Sequence, residues 1–188
     1  MNISPDEAER ALSDIQAIMK KNRRIISSSG TYQFLILWGV IWLFGFLSSQ
    51  FIHSQIVGYI WMGLDILGGI FSAIIGVRIG RRVRNTYFLS GKRIGAFWGL
   101  LTLFCAAAIL VVWPIDARQL AMVIILFVMM GWISMSLLLS LASIKFGLAI
   151  IVLALVGFFI LSGVFFLWMA VLGGGGMIAY GLYIRYRW

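Results

Sequence analysis

The chain has 188 residues, 62% of them hydrophobic and 11% charged, whereas a soluble domain carries roughly a quarter charged residues, so an ordinary water-soluble globule is excluded. Six apolar spans of about 20 residues would use about 120 residues, leaving tails and short loops and no room for a second domain beside them. One cysteine excludes a disulfide framework, and one histidine leaves no histidine and cysteine set for a metal centre, so neither metal nor cofactor is expected. The net charge of +9 does not point to nucleic acid, because the basic residues sit between apolar runs, and no direct nucleic-acid binding is expected.

Residues 1–30 are polar and contain Asp6, Glu7, Glu9 and Asp14 ahead of any apolar stretch, which does not read as a cleavable signal. Ser4-Pro5-Asp6-Glu7 has the form of a capping box with proline at the first helical position and predicts a helix to about Arg24. Ala8, Ala11, Leu12, Ile15, Ile18 and Met19 recur along one face, so the helix is amphipathic. Two uses of it stand. It rests on the inner leaflet with Lys20, Lys21, Arg23 and Arg24 among anionic headgroups, or residues 5–24 dock a cytoplasmic protein.

Residues 31–188 form the membrane domain. Thr31 to Val77 holds one formal charge, Asp65, and as a single helix would be about 70 Å long against a hydrocarbon core of about 30 Å. It must fold back, and the polar cluster Ser48, Ser49, Gln50, His53, Ser54 and Gln55 marks the turn. This predicts spans near 32–52 and 56–77. A third, 94–113, stops at Pro114, and Asp116 with Gln119 reads as a capping box opening a fourth at 119–142. Ser143 and Lys145 mark a tight turn before 146–161, and Ser162-Gly163 precede the last span, 164–185. The predicted fold is all-α: six transmembrane helices in three hairpins, plus the N-terminal amphipathic helix.

With six spans, fourteen of the fifteen basic residues fall on the side of the termini, leaving Arg118 alone opposite. The positive-inside rule then places both termini in the cytoplasm. Tyr59, Trp61 and Trp113 fall toward the outer surface, and Tyr183, Tyr186 and Trp188 toward the inner one, as interfacial aromatics do.

A faint repeat runs through the hairpins. Trp61-Met62-Gly63-Leu64 and Gly68-Gly69 align with Trp168-Met169-Ala170-Val171 and Gly175-Gly176. Gly45-Phe46 match Gly157-Phe158, and Trp38-Gly39 with Leu43-Phe44 match Trp98-Gly99 with Leu103-Phe104. Either three hairpins of one direction repeat, as in some transporters, or a small membrane alphabet coincides with itself.

Glu7-Ala8, Ala11-Leu12 and Ile15, then a basic cluster and a first span with Trp38-Gly39 and Trp42, resemble uncharacterised small bacterial multi-pass inner-membrane proteins, some of them paired with winged-helix regulators. The resemblance covers mainly the first 80 residues. It implies a bacterial inner membrane and a partner-binding role, and carries no catalytic residues.

Asp65 is the only formal charge inside the expected hydrocarbon core, and such acids are functional candidates by default. At similar depth lie Trp42, Thr102 and Ser134. Either a protonated Asp65 bonds one of these and stitches helices together, or it is a proton or cation site. Gly173, Gly174, Gly175 and Gly176 let a neighbouring backbone approach closely, as Gly76 with Gly80 and Gly95 with Gly99 do elsewhere. A broken helix lining a cavity is the other reading of the four-glycine run. Arg78, Arg81, Arg82 and Arg84, with Lys92 and Arg93, face lipid headgroups or a partner. His53 and Cys105 lie at different depths, so no nucleophile and base pair forms. The expected function is non-enzymatic: an inner-membrane accessory or sensory subunit acting by association, with a cytoplasmic protein or with further copies of itself as a homo-oligomer. The alternative is a small proton- or cation-coupled transporter using Asp65.

Overall fold

The structure is a computed structural model and describes residues 31–52, 55–82, 88–139 and 144–187. The expected amphipathic helix with Lys20, Lys21, Arg23 and Arg24 lies outside the described residues, as do His53, Arg84 and Ser143.

Among the described residues every regular element is helical and there is no strand. The helices are α1 (Thr31–Phe51), α2 (Ile56–Arg82), α3 (Phe88–Val111), α4 (Ala117–Leu139) and α5 (Ile144–Phe159). A 3₁₀ turn, Ser162–Val164, leads into α6, which has three parts: an α segment Phe165–Trp168, a π segment Met169–Gly174 and an α segment Gly175–Arg187. The return to α geometry falls inside the glycine run, where no side chain opposes the rewinding.

Five stretches are long and apolar enough to cross a membrane: Tyr32–Phe51, Ile56–Ile79, Arg93–Val111, Ala117–Leu137 and Ser162–Tyr186. The sixth expected span, α5, is apolar but 16 residues long, about 24 Å against about 30 Å of hydrocarbon. α2 runs past the predicted Val77 to Arg82, and α3 starts at Phe88, ahead of the predicted 94. Backbone hydrogen bonding continues the helix into the basic segments at these ends, where apolarity no longer marks it. α4 opens as the capping box predicts, with Gln119 N–H donating to Asp116 Oδ1 at 2.7 Å and Asp116 N–H to Gln119 Oε1 at 3.3 Å.

The core is built from α1, α4, α5 and α6: Ile41, Trp42 and Phe46 meet Met122, Ile125, Met129, Ile150, Ala154, Phe165, Met169 and Met177. α1 and α6 run antiparallel along their whole length, with Gly181 against Tyr32 and Leu35, Gly174 against Leu43, and Gln50 bonded to Gly163 and Leu167. α5 lies beside α6, Phe146 stacking on Tyr180 at 4.5 Å and Gly157 meeting Phe165. α2 packs on α1, while α3 leans on α4, and both leave most of their surface uncovered.

The repeat seen in the sequence has counterparts in these contacts. In the first hairpin Trp38 and Ile41 lie over Gly68; in the second, Trp98 and Leu101 lie over Gly131 in the same way. Trp61 rests on Gly45 in the first hairpin, and Trp168 rests on Gly157 in the third.

Candidate functional site

Asp65 lies about 14 Å along α2 from Ile56, near the middle of a span of about 36 Å. Its level is that of Trp42 on the antiparallel α1, since Trp61 meets Gly45 above it and Gly68 meets Ile41 below. Its direction differs. α2 presents Trp61, Leu64 and Gly68 to α1, and at 100° per residue Asp65 sits about 60° round the helix from Gly68, toward the open side. The side chain is exposed, and among the described residues it has no hydrogen bond and no ion pair.

Two of the three groups expected beside it are engaged elsewhere. Trp42 is buried between α1 and α6, edge-on to Phe46 at 5.5 Å and against Gly173. Thr102 donates its hydroxyl to Trp98 C=O, 2.9 Å away in its own helix. Ser134 is half-buried on α4. The expected stitch from Asp65 to any of these three is not made: Trp42 is level with it on α1, but the rotation of α2 turns the carboxyl away.

The glycine run divides in two. A Cβ on Gly174 would fall 2.7 Å from Leu43 N and 2.8 Å from Gly39 O, and one on Gly173 would meet Met169 and Trp42. Gly175 and Gly176 have open space. A close backbone approach is therefore made by half of the run, because consecutive residues point in directions 100° apart. Gly76, Gly95 and Gly99 would meet nothing within 4 Å, so the expected close approach there is not made by described residues of this chain. Gly80 lies in α2 with its surroundings undescribed.

Arg78 is exposed near the end of α2, and Arg81 and Arg82 are its last residues. Arg185 lies against Tyr32 and Tyr186, 6.0 and 5.5 Å from their ring centres. Cys105 is half-buried with a free thiol. Among the described residues no three His, Cys, Asp or Glu side chains gather where a metal could sit. Between α3 and α4 an open groove of about 490 Å³ is lined by Leu101, Phe104, Ala107, Val111, Phe127 and Met130; all are apolar, so it holds no group for chemistry and does not include Asp65.

Sequence reasoning missed the polar ties. Trp38 Nε1 donates to Ser72 Oγ, and Trp61 Nε1 to Ser49 Oγ at 2.9 Å. Gln50 grips the start of α6 from both sides, its Oε1 accepting from Leu167 N–H at 3.2 Å and its Nε2 donating to Gly163 C=O at 3.3 Å. The available signal was a tryptophan and a serine at matching depth on neighbouring spans.

No protein-family model matches the chain, and neither a characterised protein nor a solved structure is significantly similar to it.

Proposed function

We propose that this protein is a non-enzymatic subunit of the bacterial inner membrane that acts by association, in an accessory or sensory role. The observation that carries this reading is the open side of α2, where Asp65 stands at mid-span without a partner among the described residues. A carboxyl facing lipid alone costs several kcal/mol, and another protein helix supplies what the lipid lacks. Residues 5–24 would add a cytoplasmic contact, and the basic ends of α2 and α3 would hold anionic headgroups. The six-span topology with both termini inside belongs to this reading. In its support, α5 runs beside α6 from Tyr180 to Phe165, and Phe158 near its end meets Arg118 at the start of α4.

The transporter alternative requires Asp65 to line a path through the chain, and its outward position ranks that reading second. The deciding measurement is native mass spectrometry of the protein cut out of its own membrane in polymer nanodiscs. A discrete assembly of fixed stoichiometry is expected. A lone chain that dissipates a pH gradient in liposomes would replace this reading with the alternative.

A further inference from the structure

Gly58, Met62, Asp65, Gly69 and Gly76 follow one another at intervals of four, three, four and seven residues. That is the spacing of a coiled-coil seam, which keeps one stripe of a helix facing a partner. The stripe is centred about a quarter turn from the side of α2 that packs on α1. Nothing in the described chain covers it: Gly58, Gly69 and Gly76 have open space where a Cβ would be, and Met62 is 54% exposed.

Three glycines on one stripe permit two helix backbones to approach as closely as α1 and α6 do at Gly39 and Gly174. What distinguishes this stripe from an ordinary lipid-facing surface is the carboxyl at its centre. Every basic residue in the described helices lies in the terminal part of its helix, so none of the described residues brings a cation to the depth of Asp65. A lipid tail offers neither a donor nor an acceptor.

We propose that the stripe is a docking face for α2 of a second copy of this chain, with the two Asp65 side chains meeting across a two-fold axis normal to the membrane. The proposal rests on the association reading above and names the partner. Two copies inserted in the same sense have parallel α2 helices. A two-fold axis between them sets Asp65 opposite Asp65, and the glycines opposite their counterparts at each depth. Complementarity comes from one proton shared between two carboxyls, which makes one of them a donor and the other an acceptor. A foreign helix would need small residues matched at three depths and a polar group at a fourth; a second copy has them by identity.

The test uses the full chain in liposomes. Gly69→Ile puts a branched side chain on the stripe, and Gly63→Ile puts the same side chain on the other side of α2, also into open space. At neither position does a Cβ meet anything within 4 Å among the described residues, so both variants should unfold close to the wild-type temperature, and thermal unfolding of each checks this. Energy transfer between donor- and acceptor-labelled copies should show Gly69→Ile weakening self-association at least tenfold and Gly63→Ile leaving it unchanged. In a Cys105→Ala background, Met62→Cys and Gly69→Cys should cross-link on oxidation, while Leu67→Cys and Ile74→Cys, on the opposite side of α2, should not.

Equal dimerisation of the two isoleucine variants, or equal cross-linking at Leu67 and Met62, would overturn the proposal. So would a wild-type chain that stays single in liposomes. If that single chain still forms a larger assembly in nanodiscs from its own membrane, the second copy is ruled out and the association reading stands. If it is single there too, both fail.

Discussion

Trp38 on α1 donates its indole N–H to the hydroxyl of Ser72 on α2 at 3.1 Å, and two turns or more toward the other end of the hairpin the roles reverse, Trp61 on α2 donating to Ser49 on α1. Each serine fills the gap beside a broad ring, and each ring finds a partner for its one polar atom inside an apolar layer. The two bonds fix both the depth and the rotation of α2 on α1, and that rotation is what turns Asp65 outward.

The Trp38 bond should be worth about 0.6 kcal/mol and at most about 1.7 kcal/mol, the range for polar pairs between membrane helices. A double-mutant cycle with Trp38→Phe and Ser72→Ala, read by reversible unfolding in mixed micelles, should return a coupling energy of that size. Coupling near zero would mean that shape alone sets the rotation.

Adjacent glycines of the α6 run should respond in opposite directions. Gly174→Leu forces α1 and α6 apart at Leu43 and Gly39 and should destabilise the fold by at least about 1–3 kcal/mol. Gly175→Ala enters open space and, by removing a flexible residue from a helix, should be neutral or stabilising by up to about 1 kcal/mol. Thermal unfolding in detergent distinguishes them.

Gln50→Ala frees the amide of Leu167 and the carbonyl of Gly163. The expected loss is about 0.5–1.5 kcal/mol for each bond. The local sign is faster hydrogen exchange at Leu167, with Gly181 unchanged at the far end of α6.

Cysteine accessibility checks the topology in a Cys105→Ala background. Cysteines at positions 20, 90 and 145 should be shielded from an impermeant reagent in intact cells, whereas those at 54, 117 and 162 should react. Protection at both 145 and 162 would turn α5 into a helix that does not cross.

The spans were legible because a helix in hydrocarbon must be apolar for its whole length, so runs broken by Pro114, by the Asp116 and Gln119 cap and by Ser162-Gly163 locate the helices within a few residues. Asp65 was legible as a lone charge. Its direction was not, because α2 is apolar on every side and no contrast between faces reveals which one meets α1. The same uniformity hid which of four glycines touches Leu43, and it hid the α2 stripe, whose signal was the seven-residue interval from Gly69 to Gly76. Sequence shows depth in a membrane protein, whereas rotation about each helix is set by packing between helices.

The contact of Gly39 with Gly174 joins the first described span to the last. About 135 residues separate them, and at a synthesis rate of about 5–20 residues per second α1 waits roughly 7–27 s in the bilayer before its main neighbour is made. During that interval Trp42, Gln50 and the Gly39 face have no native α6 to bind, so a newborn chain is open to wrong partners and to membrane proteases for most of its synthesis. A chain truncated before Phe165 never leaves that state, and the loss of the last 24 residues should therefore shorten its lifetime more than the loss of any single interior helix contact.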